Sequence, residues 1–535
     1  MMLQKKLRST RSFQAEGALS EGMTDRFSNL PDEVAHLILS FLTFKDLTRV
    51  GTVSKRCRRF YVSAPSVNFD ASQARTNQKL VELMSSWDRY LFHRGDNKLQ
   101  RFSVFWNFFK NKSVSKLSDE HFRIITWIHN AVRCNVEVLN LYFLALHTTM
   151  LALPSCVFLS QSLKSLSVCC SGVILQTPSL SFSCNLLSLR LSCVNIVDES
   201  FFKWISCTCK CLKEIQLFRV IGIERITIES LSLESFVFVS VCGIKLLHLS
   251  ISGEKLEEIE LDWEFDARPD SRSLNIFAPN LRKLKWEGKL LNGQNLGKLM
   301  SLEKAQIFLE PEVNDFDNLH AVLSSLCRAK VLILNEKTIK ALHKEGSMSA
   351  SLDIFHFSMH LRSLNDALVP AVACLLKGMP NLNTLNIKSK PPRGQPCMSS
   401  GFDMGYWKLQ NFAFIYHLVE VTIELSNGSN EIEFARYILE HAVNLKKIVI
   451  LFQSRSQQSN DVLGKVRNCS MMKKQACLFF LGNYTFEMGI LDPADEQNLT
   501  QLLEEVTAAV KADMEEIKNL LDLPDLNKET KSSQC

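Results

Sequence analysis

Three thiols fall within five residues, at Cys207, Cys209 and Cys211. Thiols so close together could ligate a metal, but zinc sites usually space their ligands as CxxC with a second pair or a histidine nearby. A CxCxC run that leads straight into an apolar repeat at Leu212 reads instead as buried structural thiols. The 12 histidines do not cluster at metal spacing. Lys55, Arg56, Arg58 and Arg59 could touch a phosphate or simply cover the outer face of a helix. Glu258, Glu260 and Asp262 recur one repeat before Lys283 and Lys285. Such rungs either pair with each other or offer a split-charge surface to a partner. No GxxxxGK[ST] or GxGxxG stretch follows a strand, and no HExxH or GxSxG occurs, so no motif supports nucleotide binding or hydrolysis. The sequence assigns no catalytic residue, metal or cofactor.

The elements that carry these residues belong to a long globular chain. Of 535 residues, 46% are hydrophobic and 22% charged, which excludes wholesale disorder. Net charge is 62 − 56 = +6, too small over this length to predict nucleic-acid binding. Seventeen scattered cysteines, an odd number, point to free thiols in a reducing compartment, the cytoplasm and/or nucleus. Met1 to Gly22 contains no apolar stretch of signal-peptide length, and no run of about 18 apolar residues predicts a membrane span. Leu491 to Cys535 carries 11 acidic and 4 basic residues and reads as a solvated acidic tail.

From Asp25 to about Asp70 the pattern predicts three short helices. Pro31 opens the first, with Asp32 and Glu33 at its positive end and Val34, Ile38, Phe41 and Leu42 on one stripe. Thr43 and Asp46 have capping-box spacing for the second, whose apolar face is Leu47, Val50 and Val53. Ser54 can cap the third. The plain alternative is an N-terminal cap packed on the rest of the chain. The stretch LPDEVAHLILSFLTFKDLTRVGTVSKRCRRF resembles the F-box motif, especially its plant form. That resemblance implies that Leu30, Pro31, Val34, Ile38, Leu39, Phe41, Leu42, Leu47, Val50, Val53, Ser54 and Arg56 dock on a Skp-type adaptor held by a cullin scaffold. Two positions depart from the motif. Cys57 stands where the family usually has Trp, the loss of an anchor that can contribute about 2 kcal/mol to an interface, and Phe44 stands where Pro is common.

A pattern apolar-x-x-apolar-x-apolar recurs through the middle of the chain. Copies include Leu163/Leu166/Val168, Leu186/Leu189/Leu191, Leu212/Ile215/Leu217, Leu233/Phe236/Phe238, Leu256/Ile259/Leu261, Leu281/Leu284/Trp286 and Leu302/Ala305/Ile307. Leu332/Leu334, Leu352/Phe355/Phe357 and Leu382/Leu385/Ile387 follow, and Val136/Leu139/Leu141 is a degenerate first copy. The spacing lies in the leucine-rich-repeat range of about 20–29. No copy can bury its apolar face alone, so neighbours must stack as parallel strands. A concave face would then present Arg190, Gln216, Phe218, Val237, Glu258, Glu260, Lys283, Lys285, Ile333, Ile354 and His356 as candidate target-binding residues. Val237, Val239, Val331 and Ile333 would be unusual exposed apolar positions there.

Val419 to Leu425 reads as a strand, Asn427-Gly428 as a turn, and Asn430 with Glu433 as the cap of a helix to about Ala442. With Asn444, Leu445 and Ile448 this unit resembles the FBD-type segment of plant F-box proteins. A helical stripe runs from Leu499 to Leu521. The expected architecture is α/β. A small helical F-box precedes an irregular leucine-rich-repeat solenoid with a curved parallel sheet, a C-terminal α/β cap and a terminal helix. The expected boundaries are 1–24 disordered, 25–70 F-box, 71–390 repeats, 391–406 loop, 407–455 FBD-like, 456–524 cap with amphipathic helix and 525–535 disordered. The resemblance implies a non-catalytic substrate-recognition subunit of a Skp–cullin–F-box ubiquitin ligase. A small-molecule-dependent receptor and a repeat scaffold without ligase assembly are the alternatives. The target protein is unknown, and neither nucleic acid nor membrane is expected as a partner.

Overall fold

The computed structural model describes residues 30–72, 74, 76–108, 114–144, 151–170, 172–179, 184–241, 245–265, 272–311, 316–343, 352–390, 401–425, 429–452, 476–482 and 485–489. The expected basic N-terminus, the Leu499–Leu521 helix, the acidic tail and the Asn427-Gly428 turn lie outside the described residues. The chain forms two compact units, Met1–Ile223 and Glu224–Cys535.

The first unit opens with α1 (Asp32–Ser40), α2 (Phe44–Val53) and α3 (Lys55–Ser63). Thr43 Oγ1 accepts the Asp46 N–H at 3.3 Å and Ser54 Oγ the Cys57 N–H at 3.0 Å, which satisfies donors that a helix start leaves unpaired. The helices close on Ala35, Leu39, Leu47, Phe60 and Ala64. There follow β1 (Ser66–Asp70), α4 (Asn77–Arg94), β2 (Arg101–Asn107), α5 (Val114–Arg133) and β3 (Val138–Leu144). Next come β4 (Leu151–Ala152), α6 (Cys156–Leu159), β5 (Ser165–Cys169), β6 (Val173–Leu175) and β7 (Ser188–Ser192). The unit continues with β8 (Asn195–Ile196), α7 (Ser200–Thr208) and β9 (Glu214–Phe218). In the main parallel ladder Val67, Phe102, Leu139, Leu166, Leu189 and Ile215 stand in register, all buried. The ladder thus starts two rungs before the degenerate copy at Val136. The β4, β6 and β8 strands form a second parallel sheet.

The second unit alternates ladder strands with a return layer. Its strands are β10 (Arg225–Glu229), β11 (Ser235–Ser240), β12 (His248–Ser252), β13 (Glu258–Trp263), β14 (Ser273–Phe277), β15 (Lys283–Lys289), β16 (Gly293–Asn295) and β17 (Lys304–Glu310). The even-numbered strands β10 to β16 form their own parallel sheet, so these repeats return through a strand, which the one-strand-per-repeat reading did not anticipate. Then follow α8 (Phe316–Ser325), β18 (Val331–Asn335), α9 (Glu336–Ala341), β19 (His356–Leu361), α10 (Val369–Lys377), β20 (Thr384–Ser389) and α11 (Met404–Leu409). The last elements are a 3-10 turn (Ala413–Tyr416), β21 (Glu420–Leu425), α12 (Ser429–His441), β22 (Lys447–Phe452), β23 (Ala476–Gly482) and an antiparallel β24 (Thr485–Gly489).

One repeat frame needs correction. Leu332 pairs with Phe357 and Phe357 with Leu385, so the copy here is Ile354/Phe357/Met359, not Leu352/Phe355/Phe357. Phe355 is 41% exposed, whereas Ile354 is wholly buried. The expected cap of α12 also differs. Asn430 donates to Leu364 O at 3.0 Å and Asp366 Oδ1 at 2.7 Å, and Glu431 Oε1 accepts the Leu364 N–H at 2.8 Å. These two buried side chains dock α12 on the loop after β19, and Glu433 pairs with Arg436 within the helix.

The departure at position 44 has a structural reason. Phe44 is buried and meets Phe69 at 5.1 Å, Tyr90 at 5.3 Å and Trp87 at 6.3 Å, edge to face. Phe69 stacks on Trp87 at 4.4 Å. Buried Arg94 adds bonds to Ala64 O and Lys98 O, both at 2.6 Å. The helical module is therefore fastened to the first rung through an aromatic block. Phe44→Ala should lower unfolding stability by about 3–5 kcal/mol, read by urea denaturation followed through tryptophan fluorescence. A change under about 0.5 kcal/mol would show that the block does not hold the module.

Candidate functional site

Helix α1 buries Ala35 and Leu39 and turns the opposite stripe outward. Val34 is 41% exposed, Leu37 61%, Ile38 40% and Phe41 80%, with Val53 of α2 at 70%. Pro31 is exposed beside them, and Leu30, Leu42 and Val50 are half-buried. This places much apolar area in water within one small module. Leu37 is an addition to the residues named from the sequence. Its i+3 spacing from Val34 and i+4 spacing to Phe41 was the available signal.

Other named positions serve the module internally. Leu39 and Leu47 are core residues, with at most 1% exposure, and do not face outward. Ser54 caps α3. Arg56 ties α3 to the start of α1, donating to Leu30 O at 2.7 Å and to Asp32 Oδ1 at 2.9 Å, with its guanidinium over the Phe60 ring. Cys57 is buried. Its small side chain therefore bears on how the helices pack.

On the first unit's ladder, Arg190 is exposed and lies over the Phe218 ring at 4.9 Å, while Gln216 is half-buried and donates to Glu214. On the second unit's ladder, Val237, Glu260, Lys285 and Ile333 form part of one half-buried row, and Glu258, Lys283 and His356 lie exposed in the next. Val239 and Val331 are half-buried on the same face. Ile354 does not belong there, because it precedes β19 as a core position of its repeat. The charged rungs pair, with Lys283 to Glu258 at 2.5 Å and Lys285 to Glu260 at 2.8 Å. Asp262 lies beside Glu287 in register. Burial, then Glu287 and Glu264, push the Asp262 carboxyl up to about 6.

The thiol run divides. Cys209 is buried, but Cys207 and Cys211 are exposed, so the expectation that all three are buried is corrected. Among the described residues no group of three or more His, Cys, Asp or Glu side chains is placed to hold a metal ion. Among them, no helix is long and apolar enough to cross a membrane.

A capped three-helix module ahead of stacked parallel rungs defines an α/β repeat protein with a helical N-terminal module. The F-box-like family matches residues 27–64, and the FBD family matches residues 416–450. Over 459 residues the chain is 26% identical to an F-box/FBD/LRR-repeat protein of Arabidopsis thaliana, covering 80% of this chain and 89% of the relative. It is 24% identical over 460 residues to an F-box/LRR-repeat protein of the same plant, covering 81% and 89%. An FBD-associated F-box protein, also of Arabidopsis thaliana, is 23% identical over 455 residues, covering 82% and 92%. The chain thus resembles plant F-box proteins with leucine-rich repeats and a C-terminal FBD segment over most of its length.

The Asp262 environment sets a sign for pH dependence. A carboxyl held above its ordinary 3.8 binds its proton more tightly in the fold than in the unfolded chain. Stability is therefore lost as pH rises from that value through about 6. Asp262→Asn should raise the melting temperature at pH 7.5 and leave it nearly unchanged at pH 4. The gain should be about 1 kcal/mol after allowing for solvent screening at this half-buried site. An equal effect at both pH values would show that the carboxyl is not strained.

Proposed function

We propose that this chain is the substrate-recognition subunit of a Skp–cullin–F-box ubiquitin ligase. The apolar row Val34, Leu37, Ile38 and Phe41, left in water on a module that matches the F-box-like family, carries this reading. Such a row gains by covering, at roughly 25 cal/mol per Å² of apolar surface removed from water. A Skp-type adaptor is the partner that would cover it, and the adaptor would be joined to a cullin scaffold. The ladder faces would hold a target protein. On the first unit Arg190 and Phe218 offer a cation stacked on an aromatic ring. On the second unit the paired lysines and glutamates offer a patterned polar face. The chain would do no bond-making chemistry. It would raise the local concentration of the target beside the ubiquitin-transfer machinery, in the cytoplasm or nucleus.

Pull-down and calorimetry with a purified Skp-type adaptor test the reading. The wild-type chain should bind at micromolar concentration or tighter. Phe41→Ala should weaken binding by about 30-fold, the equivalent of roughly 2 kcal/mol for an anchor, with unchanged helical circular dichroism. Absence of wild-type binding would favour a repeat scaffold that does not assemble a ligase.

A further inference from the structure

Cys184 and Cys209 are 25 positions apart in the sequence and come together in the first unit. The Cys184 N–H donates to Thr208 O at 3.2 Å, which brings the loop before β7 against the end of α7. Cys209 caps that helix, with its own N–H on Ile205 O at 2.9 Å. Both side chains are buried, at 4% and 3% exposure, and each thiol is the leading influence on the other's ionisation. A disulfide needs its two backbones close together, and the Cys184 N–H bonded to the carbonyl of the residue before Cys209 brings them near one another.

We propose that Cys184 and Cys209 form an oxidisable dithiol, a modification site whose co-substrate is a small hydroperoxide.

The two sulfurs are electronically unequal. The Cys209 thiol beside it lowers the pKa of the Cys184 thiol, against the opposing effect of burial. The same contact, with burial, raises Cys209. Cys184 is therefore the thiolate that attacks, and Cys209 the thiol that resolves. In the first step the Cys184 sulfur takes the terminal oxygen of the hydroperoxide. The O–O bond breaks, and the other oxygen leaves as water or alcohol after taking a proton. In the second step the Cys209 sulfur attacks the sulfenic acid, the S–OH bond breaks, and water leaves. Two thiols lose two protons and two electrons, and the hydroperoxide accepts both.

Access comes from a neighbouring cavity of about 590 Å³ whose lining includes Asn185, Leu187, Ser162 and exposed Cys211. Asn185 follows Cys184 directly, and Cys211 stands two residues beyond Cys209. A molecule as small as hydrogen peroxide entering there would meet residues next in sequence to the pair, and a small opening of the loop before β7 would then admit it to the thiols. The cross-link would fasten the rung that carries Arg190 to the helix that follows it.

The test treats the full purified chain with hydrogen peroxide, blocks free thiols and maps linked peptides by mass spectrometry. The Cys184–Cys209 peptide should exceed any linkage through Cys207 or Cys211 by roughly tenfold. The melting temperature should rise and fall back with dithiothreitol. Cys207→Ser should keep the link, and Cys184→Ser should abolish it. Oxidation confined to Cys207 and Cys211, or equal linkage among all four thiols, would overturn the proposal. The wild-type map decides alone if the Cys184 variant does not fold.

Discussion

A single rung of this protein cannot bury its own apolar face, and the structure in each unit follows from that constraint. A strand of five or six residues presents two or three apolar side chains to one side. Those side chains leave water only when the next copy sets its own against them. Register is therefore fixed residue by residue. Phe236, Ile259, Leu284, Ala305 and Leu332 form one continuous buried line through five strands of the second unit. Each fully buried Leu or Ile along such a line contributes about 2 kcal/mol. A slip by one residue would turn the whole set toward solvent. This is why the return segments can vary between strand and helix while the ladder strands keep their pattern.

The same constraint explains how a small helical module persists at the chain's start. Three short helices have little core of their own. Phe44 enters an aromatic block with Phe69, Trp87 and Tyr90, so that α2, β1 and α4 share one interior. Arg94, buried and bonded to carbonyls on both sides, fixes the chain as it passes into the ladder. Because α1 is held from below through Ala35 and Leu39, its opposite stripe is free to remain in water. The exposed apolar row is affordable because the module's stability comes from elsewhere.

What could be read from the sequence was what depends on local period. The three helices, both hydroxyl caps and most rungs follow from spacing that a short window contains. The rungs at Val67 and Phe102 were missed because long helices separate them, which breaks the 20–29-residue spacing. The copy around Phe357 was framed two residues early because Leu352 and Ile354 are both apolar and only strand pairing distinguishes them. Direction around a helix was harder still. Val34 follows two acidic residues and Cys57 stands in a basic run, while Leu39 sits among apolar neighbours, yet Val34 is exposed and the other two are buried. Only the packing of α1 on α3 decides that.

The charges on the second unit's ladder show how stacked rungs pair some charges and crowd others. Lys283 and Lys285 each reach back one rung to a glutamate, so those charges cancel nearly in place. One rung position further along the strands, Asp262 and Glu287 stand side by side in register, and Lys285 reaches Glu287 only at 3.5 Å. Like charges opposed across a ladder are unfavourable unless something else relieves them. The local excess of carboxylate, half-buried between Val239 and Phe308 on the flanking strands, is relieved by proton uptake or by an incoming cation. A lysine or arginine of a bound protein would supply that cation without requiring the ladder to move.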